Sequence, residues 1–389
     1  MLYLLLAAGL FMGWSLGTND AANAFGTAVS TRVIKYRTAV IIIAIMVMIG
    51  AVTTGHNNIS KLSSISTNNE VTASVEDLEK VGFTFEKEWD EDKQAYVPII
   101  DDDTKQYILD AENTKEIDEA GLKDLKTKSA LKAAIIFLCG ALTVFVMSYL
   151  KFPVSANQSI TGAVIGWGLC YADYSNPVVK SGNLVEIAEF ASTWLINPVG
   201  AALISFVLVF FVKKFLEPKL TSMKSYDKIV KFGYLFAGAF AAYSIGTNSS
   251  ASVTAFYFDA TGQGANLLTS ARLTAIIGGA AIALGVLTYS KKVMMTVGSS
   301  IAEISQIDGF LVIVSMALTV VLMGKIMGIP VSTSQSVVGA VIGAGLVSGR
   351  KKVHFGVMKN IAIAWVSSPT AAGLLAYIVA LCTKSYFGA

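Results

Sequence analysis

Histidine is nearly missing from this chain: His56 and His354 are the only two in 389 residues. A metal centre built on imidazole is therefore not expected. Cysteine is scarce as well. Cys139, Cys170 and Cys382 all lie in apolar stretches and read as small hydrophobes, not as a disulfide set. Charged residues make up only 15% of the chain. Its basic residues sit singly or in short clusters beside apolar runs, so nucleic acid is not an expected partner. No Walker-type glycine-lysine loop occurs, which disfavours an ATP-driven pump. The apolar runs hold no paired acid and base and no Cys/His set, so the chain is not expected to be an enzyme or to carry a cofactor. No basic stretch precedes the first apolar run, and a cleaved signal peptide is not expected.

What the chain has is apolar length. Hydrophobic residues make up 54%, and the mean hydropathy is +0.60. Residues 39–52, 133–150, 196–212, 273–288, 310–323 and 361–382 are apolar runs. Such runs approach or exceed the roughly 20 residues that span a bilayer. The 33 glycines suit close helix packing in lipid. The expected class is an all-α polytopic membrane protein, with lipid as its surroundings. The net charge of +3 hides an asymmetry. Residues 70–128 hold 18 of the 27 acidic side chains and 8 of the 30 basic ones. The polar stretch 56–128 is read as an extramembrane insertion. Within it, residues 114–126 could form a short amphipathic helix.

Ten apolar segments fall into two copies of one unit. Gly17 matches Gly246, Arg37 matches Arg272 and Pro153 matches Pro330, while Trp194 and Pro198 match Trp365 and Pro369. After each Pro-Val-Ser comes a Gly-Ala-Val-Ile-Gly, at Gly162–Gly166 and at Gly339–Gly343. The expected domains are a first repeat over 1–212, a basic linker over 213–231 and a second repeat over 232–389. Dense basic clusters at 32–37, 213–231 and 350–352 belong in the cytoplasm by the positive-inside rule. Alternation then puts the insertion outside, together with both chain termini; Lys325 alone is at odds with this. Five spans per copy is an odd number, so the two copies are expected to be inverted. Inverted repeats with discontinuous helices or helical hairpins at the midplane are transporter architecture. Segments four and nine could be re-entrant hairpins.

Two kinds of polar stretch interrupt the apolar runs. Gly17-Thr18-Asn19-Asp20-Ala21-Ala22-Asn23 recurs as Gly246-Thr247-Asn248-Ser249-Ser250-Ala251-Ser252. A carboxylate at mid-membrane costs roughly 2.5–3.5 kcal/mol on insertion scales, which calls for a compensating cation. Both stretches are expected to break their helices and free backbone groups for a ligand. Asn19, Asp20 and Asn23, with Asn248 and Ser249, are the candidate cation ligands; for Asp20 the alternative is a cap on the next half-helix. The glycines are open to a plainer reading, as points of close helix contact. The other kind is Pro153-Val154-Ser155 and Pro330-Val331-Ser332. Proline followed by serine suits a helix start, where N–H groups attract anions. Ser155, Asn157, Gln158 and Ser159, with Ser332, Thr333, Ser334, Gln335 and Ser336, are the candidate anion ligands. Polar glue between helices is the alternative. Neither stretch contains Arg or Lys, which suits a reversible site. Arg37 reads as a membrane-edge anchor, with Arg272 at the matched position, and Trp194 and Trp365 read as packing residues.

The residues 17–24 resemble the signature of the inorganic phosphate transporter (PiT) family, Gly-Ala-Asn-Asp-Val-Ala-Asn-Ala. The two Pro-Val-Ser stretches resemble that family's repeated Pro-Val/Ile-Ser-Thr-Thr element. The resemblance covers both halves and implies a symporter that imports phosphate with Na⁺, or with H⁺ in some members. Two positions depart from the pattern: Ser249 stands where the family keeps aspartate, and Ser252 matches Asn23. With one carboxylate fewer, the coupling cation and its number stay open, and sulfate becomes a rival anion. An ion channel is the rival from another class. The cell membrane is the expected location, and a homodimer is compatible with the chain.

Overall fold

The computed structural model describes residues 2–54, 87–90, 95–98, 119–150, 154–171, 177–259, 271–300, 305–327, 331–349 and 355–387. Among them are ten α-helices: α1 (Leu2–Ser30), α2 (Tyr36–Thr53), α3 (Glu119–Tyr149), α4 (Ala156–Tyr171), α5 (Pro177–Phe211), α6 (Met223–Asp259), α7 (Ala271–Ser300), α8 (Gln306–Met327), α9 (Thr333–Ser348) and α10 (Phe355–Phe387). Seven of them are long and apolar enough to cross a membrane. Helices α4 and α9 have 16 residues each, about 24 Å of rise against about 30 Å of hydrocarbon. They are therefore too short to cross that layer alone. Most of the acidic stretch 56–118 lies outside the described residues, as do Pro153, Pro330 and the cluster at 350–352. Its described part is an antiparallel pair, β1 (Lys87–Asp90) and β2 (Ala95–Pro98), with Trp89 opposite Tyr96.

Two expectations are corrected. Helix α3 begins at Glu119 and runs unbroken to Tyr149, so residues 119–126 are the first turns of the third segment and not a separate helix. The linker is largely helical: a π turn (Val212–Leu216) and a 3-10 turn (Glu217–Lys219) lead almost directly into α6 at Met223. Hydropathy marks where a chain leaves lipid, whereas helical hydrogen bonding carries on past that point.

The second correction concerns the two polar stretches. Helices α1 and α6 pass through 17–23 and 246–252 without a break. The reason is energetic. Glycine weakens a helix by about 1 kcal/mol, but each backbone group left unpaired in lipid costs several. The glycines serve contact instead. A Cβ on Gly17 would strike the Ile282 carbonyl of α7, and one on Gly246 the Val47 carbonyl of α2. The chain is discontinuous at the starts of α4 and α9.

The ten helices pack as matched pairs. Gly162 and Gly166 of α4 lie against the Pro369 and Gly373 carbonyls of α10; Gly339 and Gly343 of α9 lie against the Pro198 and Ala202 carbonyls of α5. Likewise α1 packs on α7 as α6 packs on α2. Each contact in one set has a partner in the other, as in a two-fold arrangement. The matched helices α1 and α6 run antiparallel: Phe25 meets Gly238 late in one and early in the other, and Gly13 faces Val253. Helices α2 and α7 do the same, with Tyr36 bonded to Ser290 and Met48 beside Gly279.

Apolar side chains face outward along single helix stripes, as at Ile41, Ile45 and Ile49, or Leu195, Val199 and Leu203. The polar side chains are inside. One of them is Asp308, fully buried at the start of α8. Its Oδ2 lies 3.1 Å from Lys213 Nζ and accepts from Ser348 Oγ at 2.9 Å. Replacing Lys213 with methionine strands that carboxylate. The expected loss is about 3–5 kcal/mol, read as a lower unfolding temperature in detergent. Adding Asp308→Asn should recover most of it.

Candidate functional site

The site forms where the starts of α4 and α9 meet the polar faces of α1 and α6. Ser155 and Ser332 are helix caps: each hydroxyl accepts from a backbone N–H three residues on, Gln158 and Gln335, at 3.3 Å. Just before each cap, a valine carbonyl sits free of helix bonding, and each takes two side-chain donors. The Val154 carbonyl accepts from Asn19 Nδ2 at 2.9 Å and Ser334 Oγ at 3.0 Å. The Val331 carbonyl accepts from Asn248 Nδ2 and Asn157 Nδ2, both at 2.8 Å. One donor comes from the same half of the chain and one from the other half. The two helix tips are thereby interlocked. Asn248 also accepts the Val331 N–H at 2.8 Å.

Asn19, Asp20 and Asn23 share one face of α1, at the i, i+1, i+4 spacing of a helix. All three are buried. Asn23 Nδ2 reaches Asp20 Oδ1 at 3.4 Å, Thr333 Oγ1 at 3.3 Å and Ser334 Oγ at 3.4 Å. The Asp20 carboxylate faces the Thr333 side chain, so it lies at the N-terminal end of α9, where the helix dipole is positive. With no half-helix following it, Asp20 is not a cap. Ser249 receives a long contact from Asn248 Nδ2, at 3.4 Å. The α1 group and the α6 group meet through the approach to α9: Val331 is held by Asn248, and Thr333 and Ser334 by Asn23.

All fourteen sequence-predicted residues therefore lie at or beside this junction. Ser159 and Ser336 bond back to the carbonyls of Ser155 and Ser332, at 3.2 and 3.0 Å. Several buried polar atoms here have no protein partner: Asn157 Oδ1, both amide atoms of Gln158, and Gln335 Oε1. An unpaired buried polar atom costs about 1–3 kcal/mol. These atoms are therefore where a polar ligand or water gains most.

Two residues at the junction escaped the sequence reading. Asn197, on α5, donates to the Ser332 carbonyl and accepts from the Ser336 hydroxyl, each at 2.8 Å. Its match on α10 is Ser368, also buried. A signal was present: an amide in an apolar run, one residue before the matched prolines. The side chains of Arg272 and Ser252 lie outside the described set. Arg37 is exposed at the start of α2, as an edge anchor would be.

The model of the phosphate transporter family matches residues 16–85 and 102–376. A presumptive phosphate permease of Thermococcus kodakarensis is 26% identical, covering 97% of this chain and 96% of that one. Another, of Pyrococcus abyssi, is 29% identical over the same shares. The sulfate permease CysP of Bacillus subtilis is 28% identical over 67% of this chain and 69% of its own length. Among solved structures, one described as the sodium-dependent phosphate transporter shares the fold, with a TM-score of 0.66, 22% identity and 99% of both chains covered.

Proposed function

We propose, given that this chain belongs to the phosphate transporter family, that it imports inorganic phosphate across the cell membrane together with a cation, Na⁺ ahead of H⁺. The anion sits between the α4 and α9 tips, among Ser155, Asn157, Gln158 and Ser159 and Ser332, Thr333, Ser334, Gln335 and Ser336. The cation sits beside Asp20, with Asn19, Asn23, Asn248 and Ser249 as further oxygen ligands. Hard oxygen donors of this kind suit small cations. The sodium dependence in the structural neighbour's description favours Na⁺. The antiparallel course of the matched helices supports an inverted-repeat reading, with both termini outside. Alternating access then follows as one repeat moves against the other.

The observation that carries phosphate over its rivals is the unpaired Asn157 Oδ1. Its Nδ2 is engaged on Val331, so the oxygen is held as an acceptor. Phosphate at neutral pH keeps a P–OH donor, and sulfate has none. A buried acceptor left unpaired discriminates strongly against the ligand that cannot satisfy it. Sulfate is the second reading, supported by the likeness to CysP and by Ser249 in place of an acid.

Proteoliposomes decide between them. An inward Na⁺ gradient should accumulate labelled phosphate at least about tenfold over a K⁺ control. A tenfold excess of unlabelled sulfate should leave most of that uptake in place. Gradient-driven uptake of labelled sulfate that a tenfold excess of unlabelled phosphate leaves in place would establish the sulfate reading. Conductance that never saturates would establish a channel.

A further inference from the structure

The two halves match helix for helix, yet their ties differ in two places. Asn197 of α5 clamps the first turn of α9, holding the Ser332 carbonyl and the Ser336 hydroxyl. The counterpart on α10, at the same offset of 171 as Trp194 to Trp365, is Ser368. Its shorter side chain does not reach across: Ser368 Oγ is buried without a hydrogen-bond partner, and Ser159 bonds back to Ser155 alone. The α4 tip also keeps more open valences. Asn157 Oδ1, Gln158 Oε1 and Gln158 Nε2 are unpaired there, against Gln335 Oε1 at the α9 tip.

Both differences point the same way. The first turn of α9 is held by α5, whereas among the described residues Ser368 of α10 gives the first turn of α4 no such hold. We propose that the α9 half of the site is a fixed platform and the α4 half is the part that rearranges during transport, with Asn197 as the positioning residue that makes the difference. Two arrangements of one tip need alternative partners of similar energy. Open valences at Asn157, Gln158 and Ser368 provide them, whereas the paired Asn197 amide does not. An incoming phosphate engages the α4 tip first, accepting from the unpaired Gln158 Nε2 and donating its P–OH to an unpaired amide oxygen there. The movement in transport rests on the phosphate reading above. Backbone dynamics of the phosphate-free protein do not, so the two can fail separately.

Hydrogen–deuterium exchange on the full-length protein in nanodiscs tests this directly. Without phosphate, residues 154–160 should exchange about tenfold faster than 331–337, the ratio that one additional net hydrogen bond provides. Inorganic phosphate should slow the first segment more than the second. Asn197→Ser makes the two halves alike at this position and should bring 331–337 up to the rate of 154–160. Ser368→Asn should slow 154–160 and lower turnover about tenfold with KM changed less than about twofold. Equal rates in the unmodified protein would overturn the inference. So would faster exchange at 331–337, protection by phosphate confined to α9, or an unchanged α9 tip in Asn197→Ser.

Discussion

Asp20→Asn is expected to abolish cation-driven phosphate accumulation while leaving the protein folded. The two parts of that result have separate causes. Asparagine has nearly the shape of aspartate, and the contacts from Asn23 and Thr333 can be kept, so packing around α1 should barely change. The charge is another matter. Asp20 is 4% exposed and is the acid in the proposed cation set, because Ser249 replaces its match. Removing one member of a buried charge pair costs about 3–5 kcal/mol, a loss of more than about a hundredfold in cation affinity. Labelled phosphate uptake into proteoliposomes, with and without an imposed Na⁺ gradient, reads it. Unfolding temperature in the same detergent serves as the control. Undiminished gradient-driven uptake in a folded variant would remove Asp20 from the coupling site. A second acid at the matching place, Ser249→Asp, should alter the dependence of uptake on Na⁺ concentration.

Gly17→Ala should destabilise the protein, against the ordinary preference of helices for alanine. That preference is worth about 1 kcal/mol in the stabilising direction at an unhindered site. Here the added carbon meets the Ile282 carbonyl of α7, which is backbone and cannot rotate aside. Overpacking typically costs about 1–3 kcal/mol, occasionally more, and a clash with main chain belongs at the upper end. The net expected effect is a fall in unfolding temperature, and a larger fall for Gly17→Val. Because Asp20 lies one turn further on, pushing α1 from α7 should also weaken phosphate uptake. Gly246→Ala should behave alike, since its neighbour is the Val47 carbonyl of α2. Gly200 is the control. A carbon placed there would first meet the flexible end of Met323, at 3.4 Å, so Gly200→Ala should be neutral or mildly stabilising. A Gly17→Ala protein as stable as the original would show that the α1–α7 contact is looser than described.

The helix caps were legible because a cap is a short-range device. Pro153-Val154-Ser155 and Pro330-Val331-Ser332 put a rigid residue and a hydroxyl where a helix must begin, and the bonded N–H is three residues away. The polar stretches were visible too, but their consequence was misjudged. Amides and a carboxylate inside an apolar run have to be satisfied, and an unwound helix is one way to do it. The chain does it another way: Asn19 and Asn248 find the carbonyls of Val154 and Val331, 135 and 83 residues away. Asn197 was passed over for the same reason, its partners being Ser332 and Ser336 on the other half of the chain.

What the amino-acid sequence determined by itself is the membrane class, the doubled unit, the ends of the half-length helices and the roster of polar groups the interior must hold. These follow from hydropathy, periodicity and hydrogen bonds that close within a turn. Only the tertiary structure decided that α1 and α6 stay wound, which carbonyl each amide takes, and that α9 is pinned while α4 is left with open valences. Those outcomes depend on which groups arrive opposite one another across hundreds of residues. In lipid, with no water to satisfy a stray donor, that arrival decides whether a polar stretch unwinds, pairs or waits for a ligand.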